Sequence, residues 1–266
     1  MEKIKYCFVV LTYNGFNDFK KLYRSLSNIQ EKFAVVLVDS FSSELNRTIG
    51  ESIAGQLNID FISVPNRGYG AGNNVGIKFA IDNYNFEYLI IANPDTIIDK
   101  IDYNIISNYG ENVIIGPQIT NFNGKNKNPL YFKKYKLPFS ILRQYVRNRS
   151  LSLLYIYLAL NKIYSIFFRL KYRRRNPIGV YALHGSFMII GQKALSKLIP
   201  LFDERMFLYA EENHVAERAK SLNIPLLLDK NLQVRHKENG STTTEDVNKD
   251  QKHTLQSLRV FFENRY

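Results

Sequence analysis

Short apolar stretches alternate with segments of helical periodicity along the first third of the chain. Four stretches have the length and composition of buried strands, namely residues 5–11, 33–38, 59–64 and 88–92. The segments between them carry apolar side chains at helical spacing and predict helices near residues 17–29, 44–57 and 71–83. We expect Asn17 or Asp18 to cap the first helix. This alternation predicts a parallel sheet built from right-handed βαβ units.

Polar side chains follow each of the four predicted strands. In chain order they are Thr12 and Asn14, Asp39, Asn66 and Arg67, and Asn93 and Asp95. The carboxyl ends of parallel strands meet at one edge of the sheet, and ligands of such sheets bind at that edge. We therefore expect these side chains to surround one binding site.

The segment 66–77, NRGYGAGNNVGI, places several glycines immediately before a predicted helix. Glycines let the backbone approach a ligand closely, and the N–H groups at a helix N-terminus favour an anion such as a diphosphate. Asp95 follows at close range and can bind a divalent cation. Together these features indicate an enzyme that uses a nucleoside diphosphate compound, although a glycine-rich segment alone is equally typical of a structural loop.

Composition adds limits on size and compartment. The 266 residues allow one large domain or two small ones, and 45% apolar residues are enough for a sizeable core. We interpret the single cysteine, Cys7, as a core residue of the first strand in a protein from a reducing compartment. The apolar run around Cys7 is shorter than the core of a signal peptide, so we expect a strand there.

The positive charge of the chain is concentrated in one segment. The formal net charge is +12, and residues 125–175 hold 14 of the 36 Lys and Arg residues but no Asp or Glu. The rest of the chain is nearly neutral, with 22 basic residues against 24 acidic ones. Such a segment predicts an anionic partner.

The basic segment also contains a nearly continuous apolar run at residues 151–170, close to the length of about 20 residues that spans a membrane. Lys162 lies at its midpoint, where insertion in a bilayer costs roughly 2.5–3.5 kcal/mol. We therefore favour a helix in the interface of an anionic membrane. A membrane span and a helix buried in the protein core are the alternatives. Nucleic acid is not expected, because the aromatic residues form one block and do not alternate with basic ones.

Eight short motifs occur in order between residues 5 and 241. They are VVLTYN (9–14), VDSFSSE (38–44), NRGYGAGNNVGI (66–77), ANPDT (92–96), IGPQI (115–119), HGSFMI (184–189), FDERMFLYAEENHVAERAK (202–220) and VRHKENGS (234–241). Together they resemble glycosyltransferase family 2, of the bacterial rhamnosyltransferase-like type. The resemblance implies an α/β fold of the GT-A type, with a Rossmann-like nucleotide-binding sheet, a mixed-sheet acceptor half and a helical basic insertion.

The resemblance also implies an organisation and a donor site. One catalytic domain covers residues 1–266 and consists of a nucleotide-sugar half (1–120), the basic insertion (125–177), an acceptor half (178–241) and a closing helix (242–266). Asp39 would hold the nucleotide base. The other residues implied around the nucleotide and its diphosphate are Thr12, Asn14, Arg67, Gly68, Asn73 and Asn93.

The metal and the catalytic base follow from the same resemblance. Asp95 would bind Mn²⁺ or Mg²⁺ as the second acid of a DxD motif whose first acid is replaced by Asn93, and His236 would be a metal or diphosphate ligand. We expect Glu212 to be the base, by register, with Glu211 as the alternative. Both would lie on a helix that begins near Phe207.

These expectations define an inverting, metal-dependent glycosyltransferase. It would move a hexose from a UDP- or dTDP-sugar to a lipid-linked saccharide acceptor in surface polysaccharide synthesis of the O-antigen or capsule type. Its expected place is the cytoplasmic face of the cell membrane, as a peripheral protein. The alternatives are a nucleotidyltransferase of related fold and a non-catalytic, membrane-bound assembly subunit, which the departures Asn93, Glu212 and His214 would allow.

Overall fold

In the computed structural model, which describes residues 2–237 and 244–264, nine strands form one mixed sheet. The strands are β1 Lys3–Thr12, β2 Phe33–Ser40, β3 Asp60–Val64, β4 Asn85–Ala92, β5 Thr96–Lys100, β6 Ile114–Asn121, β7 Ile178–Gly179, β8 Phe187–Gly191 and β9 Leu226–His236. Their order across the sheet is β3-β2-β1-β4-β8-β6-β9-β5, with β7 paired to β9.

Nine α-helices belong to the described residues. They are α1 Phe16–Ser25, α2 Glu44–Leu57, α3 Tyr69–Asn83, α4 Tyr103–Ser107, α5 Lys136–Asn148, α6 Leu151–Lys171, α7 Gln192–Leu198, α8 Glu211–Ser221 and α9 Thr244–Glu263. A short 3₁₀ helix, Leu26–Asn28, follows α1.

The first four strands form the parallel half of the sheet that the sequence predicts. β1 pairs in parallel with β2 and with β4, and β2 pairs in parallel with β3. The second half is mixed, because β8 pairs antiparallel with β4 and β6 while β9 pairs parallel with β6 and antiparallel with β5. The predicted α/β fold, a Rossmann-like sheet continued by a mixed half, is confirmed.

Both faces of β1 are buried, which explains its nearly continuous apolar sequence. Cys7 and Val9 face the apolar cluster that includes Ile77 of α3, whereas Tyr6 and Phe8 face the cluster that includes Phe19 of α1. Cys7 is completely buried, as predicted. The alternation of side chains along a strand assigns them to the two layers of helices.

The predicted cap of the first helix is wrong. α1 begins at Phe16, with Gly15 at the N-cap, and the Gly15 carbonyl accepts the N–H groups of Asp18 and Phe19 at 3.1 and 3.0 Å. The Gly15 N–H donates to Thr12 Oγ1 at 3.1 Å, so the turn after β1 starts the helix earlier than the polar residues do. Asp18 instead forms ion pairs with Lys21 and Lys237.

The structure gives the bounds of the closing helix and of the strand that ends at His236. α9 begins at Thr244 and ends at Glu263, within the predicted 242–266, and residues 265–266 lie outside the described residues. β9 extends from Leu226 to His236. The motif residues Gly240 and Ser241 also lie outside the described residues.

The basic segment forms two packed helices, α5 and α6. Tyr157 and Tyr164 of α6 face inward, where the Tyr157 hydroxyl lies 2.6 Å from that of Tyr131 and the Tyr164 ring stacks on Tyr135 at 4.6 Å. The opposite face is exposed, and only 6% of the most apolar 18-residue window is buried. The alternative of a helix buried in the protein core is therefore wrong.

α6 is long and apolar enough to cross a membrane, with a mean hydropathy of 1.5, and is the one such helix of the described residues. Its exposed face is apolar. The exposed large side chains of α6 are Leu151, Tyr155, Ile156, Leu158, Ile163, Ile166, Phe167 and Leu170.

Two glycines provide a matched test of how tightly α3 packs on the sheet. A Cβ at Gly76 would lie 2.6 Å from Val9 Cγ1 and 2.7 Å from Val38 Cγ2, whereas a Cβ at the exposed Gly55 of α2 would meet nothing within 4 Å. Gly76→Ala should lower the free energy of unfolding by about 1–3 kcal/mol through overpacking. Gly55→Ala should raise it by about 0.5–1 kcal/mol through the lower entropy of the unfolded chain. Denaturant titration of both variants checks the pair, and equal effects of the same sign would contradict the packing.

Candidate active site

The carboxyl ends of the parallel strands open into a cavity of about 440 Å³. Thr12, Gly68 and Asn93, three of the residues predicted around the nucleotide, line this cavity. Phe207 and His253 form its far wall, with their rings stacked at 4.2 Å. The sequence analysis did not select His253, because a histidine within a helical pattern carries no motif.

The glycine-rich start of α3 contacts protein backbone. Gly68 has φ of +105°, and a Cβ there would lie 2.4 Å from the carbonyl oxygen of Phe207. The N–H of Tyr69 donates to the same carbonyl at 2.8 Å. Gly70 and Gly72 are close-packed as well, against Phe202 and Leu11. The glycines thus allow the 202–210 segment to pack against the first turn of α3. The sequence analysis attributes these glycines to contact with a ligand instead.

The polar residues of this turn make hydrogen bonds and ion pairs within the protein. Asn73 is buried and donates to the Tyr69 carbonyl at 3.0 Å. Asn74 makes two hydrogen bonds with the Phe202 backbone, at 2.9 and 3.1 Å, and so fixes the 202–210 segment. Arg67 is exposed and forms an ion pair with Glu204 at 3.3 Å. The predicted roles of Arg67 and Asn73 at the nucleotide stay predictions.

Asp39 lies at the end of β2 and is completely buried. Its carboxylate accepts hydrogen bonds from the Ser42 N–H and hydroxyl, and from the Ser63 hydroxyl at 3.2 Å. Asn14 joins this network, since its N–H donates to Ser42 Oγ at 2.8 Å. Asp39 and Asn14 therefore shape the edge of the sheet beside the cavity of about 440 Å³. Their contact with a nucleotide stays a prediction.

Asp95 and His236 come together although they are far apart in sequence. Asp95 follows β4, His236 ends β9, and His236 Nε2 lies 3.0 Å from Asp95 Oδ1. The Lys237 N–H donates to the Asp95 carbonyl at 3.0 Å and holds the two strand ends together. Among the described residues, Nδ1 of His236 is buried without a protein hydrogen-bond partner.

This pair fits a divalent cation that also binds a diphosphate. A carboxylate oxygen and an imidazole nitrogen suit Mn²⁺. Within residues 2–237 and 244–264, no group of three or more His, Cys, Asp or Glu side chains could hold a metal ion. The remaining ligands would have to come from phosphate oxygens and water.

A second cavity, of about 800 Å³, joins the Asp95–His236 pair to the two glutamates. Asn93, Asp95 and His236 line one side of it, and Glu211 and Glu212 line another. Glu212 Oε1 accepts the N–H of Gly185 at 3.2 Å. A Cβ at Gly185 would lie 2.6 Å from that oxygen, so only glycine leaves room for the carboxylate there.

The helix that carries the glutamates begins at Glu211 and not near Phe207, so the predicted helix start is wrong. Tyr209 and Ala210 precede it with φ of 71° and 67°, in the left-handed region that non-glycine residues rarely adopt. The Phe207 carbonyl accepts the Tyr69 N–H of α3, and the Leu208 carbonyl accepts the Ser257 hydroxyl of α9 at 2.8 Å, so these carbonyls are used outside α8. As a result both carboxylates lie in the first turn of α8, where the N-terminal partial charge stabilises an anion.

The two glutamates share a poorly solvated site. Glu211 is buried, and its burial followed by the charge of Glu212 raises its pKa to about 8. Burial also raises the pKa of Glu212, which is partly open to the cavity and accepts the Gly185 N–H. Near neutral pH the pair therefore holds one proton. Of the two, Glu211 has the smaller accessible surface, whereas Glu212 is partly open to the cavity.

Buried polar atoms without partners concentrate at the two cavities. Nine side-chain atoms of the described residues are buried without a protein hydrogen-bond partner. Five of them belong to residues that line the cavities, which are Ser186, Glu211, Asn213, His236 and His253. Such groups are rare in folded proteins unless a ligand or water satisfies them. Their clustering indicates a binding site for polar ligands.

No family model matches the chain. The chain is 30% identical over 225 residues to the low-salt glycan biosynthesis hexosyltransferase Agl10 of Haloferax volcanii, a match that covers 81% of this chain and 62% of the relative. The chain thus spans less than two thirds of the length of this curated relative.

Two solved glycosyltransferases have a similar fold. GalNAc-T7 with UDP, GalNAc and Mn²⁺ aligns with a TM-score of 0.59 and 13% identity, over 89% of this chain and 43% of that one. The mannosyltransferase PcManGT from Pyrobaculum calidifontis, with GDP-Man and Mn²⁺, aligns with a TM-score of 0.57 and 12% identity, over 100% of this chain and 66% of that one. The chain has the GT-A fold, and its predicted resemblance to glycosyltransferases is confirmed.

The shared proton of the glutamate pair should appear in the pH dependence of stability. The pKa of Glu211 is raised above its ordinary 4.5, to about 8, so the folded protein keeps a proton that the unfolded chain releases. The free energy of unfolding should therefore fall as pH rises from about 5 to about 8. Glu211→Gln should flatten this dependence, and Glu51→Gln on the exposed face of α2 should not. Denaturant titrations across that range measure it, and parallel curves for wild type and Glu211→Gln would contradict the assignment.

Proposed function

We propose that this chain is an inverting, metal-dependent glycosyltransferase that uses a nucleotide-sugar donor. The observation that supports it most is the cavity of about 800 Å³ in which Asp95 and His236 lie across from Glu211 and Glu212. A single displacement at a sugar carbon is assisted by a base for the acceptor hydroxyl and by positive charge at the leaving diphosphate, and the two sides of this cavity can supply them.

The donor lies along the carboxyl ends of β1, β2 and β4. Its nucleoside occupies the cavity lined by Thr12, Gly68 and Asn93, and its diphosphate lies beside Asp95 and His236. The donor is a UDP- or dTDP-hexose. Asp95 and His236 would hold Mn²⁺ or Mg²⁺, which would supply positive charge to neutralise the departing diphosphate.

Glu212 removes the proton of the acceptor hydroxyl. The hydroxyl oxygen attacks the anomeric carbon as the bond to the diphosphate breaks, the proton passes to Glu212, and the nucleoside diphosphate leaves. Attack from the side opposite the leaving group inverts the anomeric configuration. The Gly185 N–H orients the carboxylate of Glu212, and the protonated Glu211 adds no second negative charge beside it.

The acceptor is a saccharide linked to a lipid, of the kind used in surface polysaccharide synthesis, and the protein acts at the cytoplasmic face of an anionic membrane. The exposed apolar face of α6 supports this proposal, because a surface of large apolar side chains is typical of interaction sites. Basic residues flank α6 at both ends, with Arg147 and Arg149 before it and Arg173, Arg174 and Arg175 after it. An interfacial helix places this face among lipids and these charges at the head groups.

The donor chemistry predicts separate effects for the base and the metal ligand. Glu212→Gln should lower kcat by about 10²–10⁴-fold with little change in donor binding, because an amide cannot accept the proton. Asp95→Ala should abolish turnover and also weaken Mn²⁺ binding, followed by the electron paramagnetic resonance of the free ion. The assay is release of nucleoside diphosphate from a panel of nucleotide sugars, with and without EDTA.

Several outcomes would contradict this assignment. Turnover that survives both Asp95→Ala and EDTA would exclude the metal site. A large loss in Glu211→Gln with little loss in Glu212→Gln would make Glu211 the base. Release of pyrophosphate from a nucleoside triphosphate would indicate a nucleotidyltransferase. Absence of any turnover with intact donor binding would indicate a non-catalytic assembly subunit.

The membrane attachment predicts a salt-sensitive association with anionic vesicles. Changing Arg173, Arg174 and Arg175 together to Gln should weaken binding to phosphatidylglycerol-containing vesicles by about 100-fold, since each basic residue near the surface contributes about 1 kcal/mol. The control changes three exposed lysines elsewhere, Lys20, Lys78 and Lys220, to Gln. Flotation at low and high salt measures both. Binding that resists salt and carbonate would indicate a membrane span, and no binding would contradict the attachment.

A further inference from the structure

The cavity of about 800 Å³ has two chemically different ends. The inner end, beside β4 and α8, carries Asp95, Glu211, Glu212 and the two histidines His184 and His236. The outer end is formed by α5, α6 and α9, and no charged side chain of the described residues lines it. Its apolar walls are Leu130, Leu142, Leu154, Leu158 and Leu258.

Four hydroxyl-bearing residues also line this end, namely Tyr131, Tyr145, Tyr157 and Thr254. The hydroxyls of Tyr131 and Tyr157 lie 2.6 Å apart and satisfy each other. Burial raises the pKa of Tyr131 well above its ordinary value, so this pair stays neutral. A saccharide placed there would lose the hydrogen bonds that its hydroxyls make with water, and the leucines would return none.

The outer end of the cavity reaches the exposed face of α6. Leu154 and Leu158 both line the cavity, one helical turn apart, and Leu158 is 49% exposed. Leu151 and Tyr155 continue the same side of the helix and are 63% and 67% exposed. The apolar wall of the cavity is therefore continuous with the apolar outer face of α6.

We propose that the outer end of this cavity binds the hydrocarbon chain of the acceptor, beside the sugar whose hydroxyl reacts. This proposal rests on the function proposed above and names a subsite for it. An amphiphile matches both ends at once, because its saccharide meets the carboxylates while its chain contacts the leucines. The hydrocarbon chain leaves the cavity past Leu158 and runs along α6. The enzyme thus recognises the lipid of its acceptor directly and draws it from the surface on which α6 lies.

Alkyl glucosides are simple probes of this subsite. Octyl, decyl and dodecyl β-glucoside, each kept below its micelle-forming concentration, should each bind at one site per protein molecule in isothermal titration calorimetry. The dissociation constant should fall by about fourfold per added methylene, which corresponds to roughly 0.8 kcal/mol for each buried CH₂. An affinity that is independent of chain length would overturn the proposal, because the sugar alone would then account for binding.

Variants of α6 separate the cavity from the outer face. Leu154→Asn should weaken binding of dodecyl glucoside by about tenfold, and Leu154→Trp should weaken it as well, by filling the cavity while keeping it apolar. Ile163→Asn and Phe167→Asn change exposed residues on other sides of the same helix that do not line the cavity, and should leave the affinity unchanged. Equal losses in all four variants would mean adsorption to the outer face and would overturn the proposal.

A thermal melt of each variant controls for folding, and Leu154→Trp covers the case in which Leu154→Asn does not fold. Donor turnover separates this proposal from the proposed function. Loss of chain-length dependence with metal-dependent donor turnover intact rejects the hydrocarbon subsite alone. Chain-length-dependent binding in a protein without donor turnover rejects the transferase and leaves an apolar cavity that binds amphiphiles.

Discussion

The backbone contact between the start of α3 and the 202–210 segment holds the two sides of the active site together. The Tyr69 N–H donates to the Phe207 carbonyl, and Gly68 permits an approach that any side chain would prevent. Asn74 fixes the same segment through Phe202. The segment is held in this way at Phe202 and Phe207, α8 starts at Glu211, and both glutamates line the same cavity as Asp95. The left-handed conformations of Tyr209 and Ala210 are the local cost of that geometry, of the order of 1–3 kcal/mol each.

Burial gives the two glutamates different environments. Two carboxylates at adjacent positions of an exposed helix would both be ionised and solvated. Here Glu211 is closed off from water and keeps a proton, whereas Glu212 is oriented by the Gly185 N–H and open to the cavity. A carboxylate with a raised pKa is a stronger base. Poor solvation destabilises two ionised carboxylates at this site. The same poor solvation favours a carboxylate that accepts a proton.

The basic insertion contributes a wall of the proposed acceptor site as well as a surface. α6 packs its tyrosines and Phe168 onto Phe132 and Tyr135, and leaves large apolar residues facing outward. Leu158 belongs to both the cavity and the outer face. A single helix would then set both where the enzyme acts and which acceptor reaches the carboxylates, so that attachment and acceptor recognition depend on the same residues.

The amino-acid sequence by itself determined the parallel half of the sheet, because apolar strands buried on both faces and alternating helices leave a strong local pattern. The same pattern identified the edge where Thr12, Asp39, Asn93 and Asp95 lie, since parallel strands bring their carboxyl ends together. Ordered motifs added the GT-A fold and the candidates Glu211, Glu212 and His236. Only the tertiary structure decided that Asp95 contacts His236 and that Glu211 is the buried member of the glutamate pair. It also placed His253 in the wall of the cavity that Thr12, Gly68 and Asn93 line. These facts depend on contacts between residues distant in sequence. The orientation of α6 is of the same kind: its sequence is apolar on nearly every side, so only packing against α5 shows which side faces outward.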